Sequence, residues 1–387
     1  MIGRDAEQTL KEFAANFRAV LVNGPRQSGK TTLAKKVFPG KPYALLEEMD
    51  TRRFAVEDPR GFLGQFPEGA ILDEVHKAPE LLSYIQGILD TSGTRGRFIL
   101  TGSCNFKLLE SISQSLAGRV GQFELLPLCW PEIVRDTSAP PTLEEALFRG
   151  GYPEPHSECL DAERWYNAYV DTYVERDVRQ LINLKDLMVF QRFLGLCAAN
   201  CSQLLNANRI GSDCGVHHNT VSKWLSILQA TYIAFLLPPH AANFRKRLVK
   251  TPKLYFHDTG LACRLLGIEN AKQLVRHPLR GALFENWVVS ELLKARFNQG
   301  RKSNLFFWRN NTGLEIDVIA DRAGQLLPIE IKSGATVASD WFAGLAKWQA
   351  LAGDQAEGGI LVYGGDRGQA REAATVLPWR DIGDLSL

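Results

Sequence analysis

The chain has 387 residues, long enough for two or three domains, and its 45% hydrophobic and 23% charged residues are ordinary for a water-soluble globular protein. A formal net charge of +2 gives no global field that would draw it to nucleic acid or to a membrane surface, so any such affinity must come from local patches. Seven cysteines without a C-x-x-C pair, no signal peptide and no apolar run near the ~20 residues of a bilayer span predict a reduced, cytoplasmic protein with no membrane partner.

The first predicted elements are an apolar strand, a loop and an amphipathic helix within FRAVLVNGPRQSGKTTLAKKVF, residues 17–38. Gly24, Gly29, Lys30 and Thr31 fit G-x-x-x-x-G-K-[ST] in the strand–loop–helix setting that motif requires. Gly24, Pro25, Arg26, Gln27, Ser28, Gly29, Lys30, Thr31 and Thr32 are therefore predicted to hold the phosphates of ATP. The loop N–H groups and the helix N-terminus supply the attracting field. Lys30 is placed to reach the β- and γ-phosphates, and the Thr31 hydroxyl to bind Mg²⁺.

Further along, EGAILDEVHKAPELLSYIQGIL sets a strand, Ala70–Leu72, ahead of Asp73 and Glu74 and an amphipathic helix. Asp73 suits Mg²⁺, directly or through water, and Glu74 suits polarising the attacking water. The plainer alternative is two acids at a strand end. The next buried strand, Phe98–Thr101, runs into Ser103 and Asn105, which read either as γ-phosphate sensors or as turn and cap residues. Arg119 reads as an arginine finger, acting in cis or on a neighbouring subunit, or as a structural surface arginine.

GPRQSGKTTL, ILDEVHKAP, LTGS and SLAGRV with LPLCWPEI resemble the bacterial and archaeal AAA+-type ATPases, in particular the branch with a C-terminal domain of unknown function. The resemblance extends over the full chain, including RGGYPEP and the acidic C-terminal motif. It implies Mg²⁺-dependent ATP hydrolysis and assembly of a homo-oligomer, in many AAA+ proteins a ring.

Pro140-Pro141 and GGYPEP (150–155) punctuate the end of this first domain, placed at 1–150. The Gly- and Pro-free stretch 159–187 predicts a long helix with Arg164, Arg176 and Arg179 on a solvated or phosphate-contacting face. Cys197 and Cys201 share a helical face, as buried thiols rather than ligands. Residues 203–240 predict a helix, a turn around Gly211–Gly215, a second helix from about Asn219 to Leu228, and the first strand of a wing. In a winged helix His217, His218, Asn219, Thr220, Ser222 and Lys223 would face the major groove, although many such folds only pack proteins together. The run NFRKRLVKTPK (243–253) adds local positive charge. This helical and winged-helix region is placed at 151–275.

In the last region, 276–387, Glu285 lies on a helix within LRGALFENWVVSELLKAR. It is followed by a strand and then by LEIDVIAD and QLLPIEIKSG, paired through a turn at Asp-Arg-Ala-Gly. Strand alternation puts Glu315 with Asp317, and Glu330 with Lys332, opposite the apolar Ile316, Val318, Ile329 and Ile331. Carboxylates so grouped suit Mg²⁺, and a nearby lysine suits stabilising charge on a scissile phosphate. Glu285, Asp317, Glu330 and Lys332 thus form a candidate catalytic set, the first three as metal ligands. The arrangement resembles the PD-(D/E)XK nucleases, with Ile316 where the family's proline stands and Glu315 as an extra acid. A degenerate nuclease fold kept for binding stays open as the alternative. Trp341 and Trp348 are seven apart on a predicted helix and read as core.

The fold class is therefore α/β: an AAA+-type ATP-binding domain, a helical and winged-helix middle, and a restriction-endonuclease-like C-terminal domain. The function expected is a Mg²⁺-dependent ATPase acting on nucleic acid, DNA in particular, with a C-terminal domain suited to phosphodiester cleavage. The alternatives are a remodeller or switch that does not cut, and a nucleotide-gated protein-interaction module.

Overall fold

The computed structural model describes residues 2–103, 116, 118–135, 137, 139–174, 187–240, 249–385 and 387. Asn105, Arg176, Arg179 and residues 243–248 of the basic run lie outside these. The chain divides into two compact units, one of Met1–Leu128 with Ala230–Tyr232 and Phe297–Arg301, the other of Cys129–Gln229, Ile233–Arg296 and Lys302–Leu387.

The first unit contains α1 (Ala6–Asn16), β1 (Ala19–Gly24), α2 (Lys30–Val37), β2 (Tyr43–Leu45), α3 (Met49–Glu57), α4 (Pro59–Gly64), β3 (Ile71–Asp73), α5 (Leu81–Thr91), β4 (Phe98–Ser103) and β5 (Val120–Glu124). The strands lie in the order β2-β3-β4-β1-β5, and every neighbouring pair is parallel. A parallel sheet is covered on both faces, which is why its strands read as unbroken apolar runs. In β1, Ala19 and Leu21 pack with Leu72, Leu100 and the α5 residues Leu82 and Ile85. Val20 and Val22 pack with Ile71, Ile99, Leu10 of α1 and Leu33 of α2. Fully burying an aliphatic side chain of this size contributes ~1.5–3 kcal/mol. Strand β4 separates β1 from β3, so the chain switches sides beside β1, and ligands of open α/β sheets bind at the strand ends of such a point.

The second unit starts at Cys129 and includes α6 (Leu143–Arg149) and α7 (Ala162–Tyr169). The long helix expected over 159–187 is described only as α7 and a π-helical turn, Val170–Val174. Then follow α8 (Leu187–Ala199), β6 (Gln203–Leu204), α9 (Ala207–Cys214), α10 (His218–Ala230), β7 (Ala234–Leu237) and β8 (Lys253–Phe256). The strands form an antiparallel sheet in the order β6-β8-β7. Gly215 ends α9 in the left-handed region at φ 74°, the C-terminal stop that a glycine allows. Cys197 and Cys201 are fully buried. After β7, Pro239 bridges Phe307 and the His240 N–H donates to the Phe307 carbonyl at 2.7 Å.

That contact joins the small sheet to a larger one. After α11 (Thr259–Leu265) and α12 (Arg280–Asn298) come β9 (Leu305–Arg309), β10 (Glu315–Arg322), β11 (Gln325–Lys332), α13 (Ala343–Ala352), β12 (Gly359–Tyr363), β13 (Gln369–Ala370) and β14 (Ala374–Pro378). The order is β13-β14-β12-β11-β10-β9. Strands β9, β10 and β11 form an antiparallel meander, α13 crosses over, and β12 and β14 continue parallel. The β10–β11 turn is tighter than expected: Ala323 and Gly324 take φ of 56° and 97°, the paired positive values of a two-residue hairpin. Trp348 of α13 is fully buried against Trp308, Ile316 and Ile319. Trp341 precedes α13 in a separate 3₁₀ turn, so the two tryptophans do not share one helix.

At the join of α6 and α11 a buried carboxylate organises the chain. Asp258 accepts from Leu261 N–H at 2.9 Å, Gly151 N–H at 2.7 Å and the Tyr166 hydroxyl at 2.6 Å. Gly150 passes beside it at φ 61° and ψ −156°, a region essentially reserved for glycine. A Cβ there would lie 2.3 Å from the Tyr166 hydroxyl and 2.4 Å from Asp258 Oδ1. Gly150→Ala should therefore lower the stability of this unit by about 3 kcal/mol or more, read as a shifted urea midpoint at unchanged slope.

Candidate functional sites

The phosphate loop leaves β1 at Gly24, whose neighbour in register on β4 is Ser103. A Cβ at Gly24 would lie 2.1 Å from the Leu125 carbonyl oxygen, so only glycine lets the strand turn there. Gly29 caps α2 at φ 91°, in the left-handed region. Arg26 is half-buried, Gln27 and Thr32 are exposed, and Pro25 and Ser28 are buried. Lys30 is buried, and its ammonium donates to the carbonyls of Gly24 at 3.2 Å and Pro25 at 2.7 Å. The Ser28 hydroxyl is fully enclosed without a hydrogen-bond partner. An unmet polar atom beside a lysine wrapped on its own loop fits a phosphate ligand.

Asp73 ends β3 with 3% of its surface exposed. It accepts from the hydroxyls of Thr31 at 2.8 Å and Tyr43 at 2.7 Å, and also from Thr101. Three hydroxyls around one carboxylate make an all-oxygen set suited to Mg²⁺, with Thr31 and Asp73 as the residues to hold it. Glu74 follows at φ 56°, a left-handed backbone that costs a non-glycine residue ~1–3 kcal/mol and turns its carboxylate back over the sheet. There Glu74 Oε2 lies 3.0 Å from His76 Nδ1 and accepts from Ser103 N–H at 3.4 Å. Burial pushes the Glu74 carboxyl up, but the His76 hydrogen bond and the charges of Lys30, His76 and Arg26 outweigh it and hold the group at about 2. An acid so strong stays ionised at neutral pH, which suits orienting and polarising a water.

The structure thus brings Lys30, Thr31, Asp73, Glu74 and Ser103 to one strand-end edge. It does not bring Arg119 there. Arg119 lies just before β5, whose Val120 pairs Ala19 at the start of β1, about 17 Å of strand from Gly24. Its guanidinium is clamped by both oxygens of Asp90, at 2.5 and 3.1 Å. A finger acting in cis on its own phosphate site is corrected by this placement. The sequence reading also missed Arg4, a buried guanidinium that donates to the carbonyls of Ser28 at 2.8 Å and Leu126 at 2.7 Å and so props the loop. No motif surrounds Arg4 to signal it.

In the second unit the expected residues also converge. Glu285 comes from α12, Glu315 and Asp317 from β10, and Glu330 and Lys332 from β11. Ile316, Val318 and Ile329 are fully buried on the opposite face, and Ile331 is 6% exposed. Asp317 Oδ2 accepts from Ile331 N–H at 2.9 Å, extending the hairpin beyond its last ladder pair, Val318 and Ile329. Lys332 donates to Glu330 Oε1 and lies 3.9 Å from Asp317.

At the centre stands a cation that the sequence reading left in the basic run. Lys253, on β8 and 3% exposed, lies 2.6 Å from Glu315, 3.0 Å from Glu285 and 3.9 Å from Asp317. The Tyr255 hydroxyl, from the same strand, donates to Glu285 at 2.6 Å, and Arg309 reaches the other oxygen of Glu315 at 3.0 Å. Two residues apart on one strand, Lys253 and Tyr255 share a face. Burial opposes the charge on Lys253, yet Glu285, Asp317 and Glu315 raise its pKa. Burial and the Asp317 charge push Glu285 and Glu330 well above the carboxylate range, more than Lys253 and Lys332 pull them down. Glu330 Oε2 is enclosed without a hydrogen-bond partner. Glu285, Asp317 and Glu330 do not bring one oxygen each within 4.8 Å of one another, so a divalent cation here would have Asp317 and Glu330 as its protein ligands, which the unmet Glu330 oxygen fits.

Residues 16–134 match the family described as AAA domain, residues 140–272 a domain of unknown function (DUF8612), and residues 280–382 another domain of unknown function (DUF4143). Two uncharacterized proteins, from Mycobacterium tuberculosis and Mycobacterium bovis, are each 30% identical to this chain over 338 residues, 86% of it and 74% of their own length. The chain belongs to their family. Within this family member the N-terminal unit carries a P-loop AAA-type ATPase domain, as the motif and the sheet order require. The match over 280–382 names no activity. Among solved structures, a Walker-type ATPase of Pyrococcus abyssi is similar over 68% of this chain and 96% of its own, at 14% identity and a TM-score of 0.47. A STAND protein of Pyrococcus horikoshii with a tetratricopeptide-repeat sensor is similar over 77% and 47%, at 13% identity and a TM-score of 0.24. Likeness at these levels carries no functional argument. Among the described residues no helix is long and apolar enough to cross a membrane.

Two outcomes are expected of the AAA protein. Glu74→Gln should keep ATP affinity and lose at least ~100-fold in turnover, measured by phosphate release beside a fluorescent-nucleotide titration. In metal-free buffer the second unit should lose stability as pH rises from the ordinary carboxylate value near 4.5. There the unfolded chain has released protons that folded Glu285 and Glu330 retain, so the slope of unfolding free energy with pH is negative. Melting temperatures from pH 5 to 9 in EDTA read this directly, and Glu330→Gln should flatten the decline.

Proposed function

We propose that this ATPase acts on nucleic acid, DNA in particular, and that its C-terminal region is a divalent-metal-dependent phosphodiesterase of PD-(D/E)XK type. The observation that carries the reading is the convergence of Glu285, Asp317, Glu330 and Lys332 on a helix, a three-stranded meander and a crossover. Asp317 and Glu330 would hold the ion with Glu285 beside them, and the ion when bound lowers the pKa of a water and neutralises charge on the scissile phosphate. Lys332 is the cation left at the half-open edge, 32% of its side chain exposed, to meet the charge that develops on a phosphate.

The middle of the chain supports a nucleic-acid partner. Its order of helix, strand, two helices and two strands reads as a winged helix, with α10 as the recognition helix. His217, His218, Asn219, Ser222 and Lys223 are exposed at the start of that helix, while Val221, Trp224 and Leu225 are buried. Mg²⁺ at Thr31 and Asp73 would serve ATP hydrolysis. Arg119 is assigned to a neighbouring subunit's phosphate site in a homo-oligomer, with Asp90 holding it until the copies meet.

The second reading is a switch that binds DNA or protein without cutting. It is favoured by Lys253, which already neutralises acids that a metal would use. Cleavage of supercoiled and branched DNA with Mg²⁺ or Mn²⁺, with and without ATP, separates the two. Asp317→Ala should abolish cleavage while leaving ATP turnover within about threefold of wild type. Wild-type protein that binds the DNA and leaves it intact would instead support the switch.

A further inference from the structure

We infer that Lys253 is a tethered cation that takes the place of a second metal ion, fixing the acid cluster as a site for one divalent ion held by Asp317 and Glu330. The inference rests on the metal reading of the cluster and adds what limits its occupancy.

The oxygens of the cluster divide into two groups. Glu315 is used on both sides, Oε1 by Lys253 at 2.6 Å and Oε2 by Arg309 at 3.0 Å. Glu285 Oε1 receives both Lys253 at 3.0 Å and the Tyr255 hydroxyl at 2.6 Å. Glu330 Oε2, by contrast, is buried with no partner, and Asp317 Oδ1 lies no closer than 3.9 Å to Lys253, while its Oδ2 accepts from Ile331 N–H at 2.9 Å. Two-metal sites hold their ions ~3.5–4 Å apart and need carboxylates for each. Here the carboxylates nearest the α12 side are already committed to an ammonium.

Lys253 cannot easily step aside. Its backbone is paired with Leu204 of β6 on one side and Leu237 of β7 on the other. Its side chain is 4% exposed, so leaving the acids means burying an unpaired ammonium or breaking the sheet. Removing one partner of a buried charge pair is strongly destabilising, because the remaining charge keeps its full desolvation penalty. A free ion arriving from solvent displaces water, but a second one here would have to displace the lysine.

The test is Mn²⁺ binding to the nucleotide-free full-length protein, by calorimetry and by loss of the free-ion electron-paramagnetic-resonance signal. Wild type should bind one Mn²⁺ that Asp317→Asn loses. Lys253→Met should bind two, and should gain a larger rise in melting temperature from Mn²⁺ than wild type does, while Lys253→Arg stays at one. Lys253→Gln, which keeps a donor and drops the charge, is read if Lys253→Met does not fold in EDTA. Folding of either variant only when Mn²⁺ is present supports the inference, since a free cation then replaces the tethered one. Wild type losing two ions on Asp317→Asn, uncharged variants still binding one Asp317-dependent ion with unchanged affinity, or both uncharged variants failing to fold even with Mn²⁺ would each overturn it. Wild type with no Asp317-dependent Mn²⁺ sinks the metal reading itself, a result distinct from any of these.

Discussion

An ionised group buried in protein keeps several kcal/mol of desolvation penalty unless a partner of opposite charge or a set of hydrogen bonds offsets it. The second unit is built around that constraint. Lys253 is buried because Glu285, Glu315 and Asp317 surround it, and those acids can crowd together only because it is there. The same logic recurs where Lys294 meets Glu291 at 2.7 Å and Glu291 accepts from Trp130 N–H at 2.6 Å. It recurs again where Asp258 gathers Gly151, Tyr166 and Leu261. Each cluster includes partners far apart in sequence, and the Lys253 cluster ties the small sheet, α12 and the meander together.

The two acidic sites answer that constraint in opposite directions. Glu74 sits among positive groups and is held at about 2, fixed as an anion before any ligand arrives. Glu285 and Glu330 sit among other acids and are pushed toward the protonated form. The first arrangement has its charge set by protein groups alone. The second has more carboxylates than protein cations, and its charge state depends on what else enters.

Local backbone demands made the first site legible in sequence. Gly24 must tolerate the Leu125 carbonyl and Gly29 a left-handed turn, and both needs leave a mark at fixed spacing. The hairpin was legible for a similar reason, since strand alternation alone puts Asp317 with Glu315 and Glu330 with Lys332. What escaped were residues whose role is set by distant contact. Lys253 closes a basic run, and its burial depends on strands whose pairing no local pattern announces. Arg4 precedes a helix and reads as surface until the loop 24 residues away folds over it. Arg119 has the right distance in sequence from the motif strands and the wrong end of the sheet, a difference that strand direction decides and spacing does not.

The placement of Lys253 also sets an order in time. A chain made from its N-terminus delivers β8 before α12 and before the hairpin, so the positive partner exists before the acids it must neutralise. Until residue 317 has emerged, that lysine lacks the last of the three acids around it and the small sheet has less reason to bury it. The burial of that ammonium therefore waits on β10, and a chain cut short before it would leave Glu285 alone of the three acids beside Lys253.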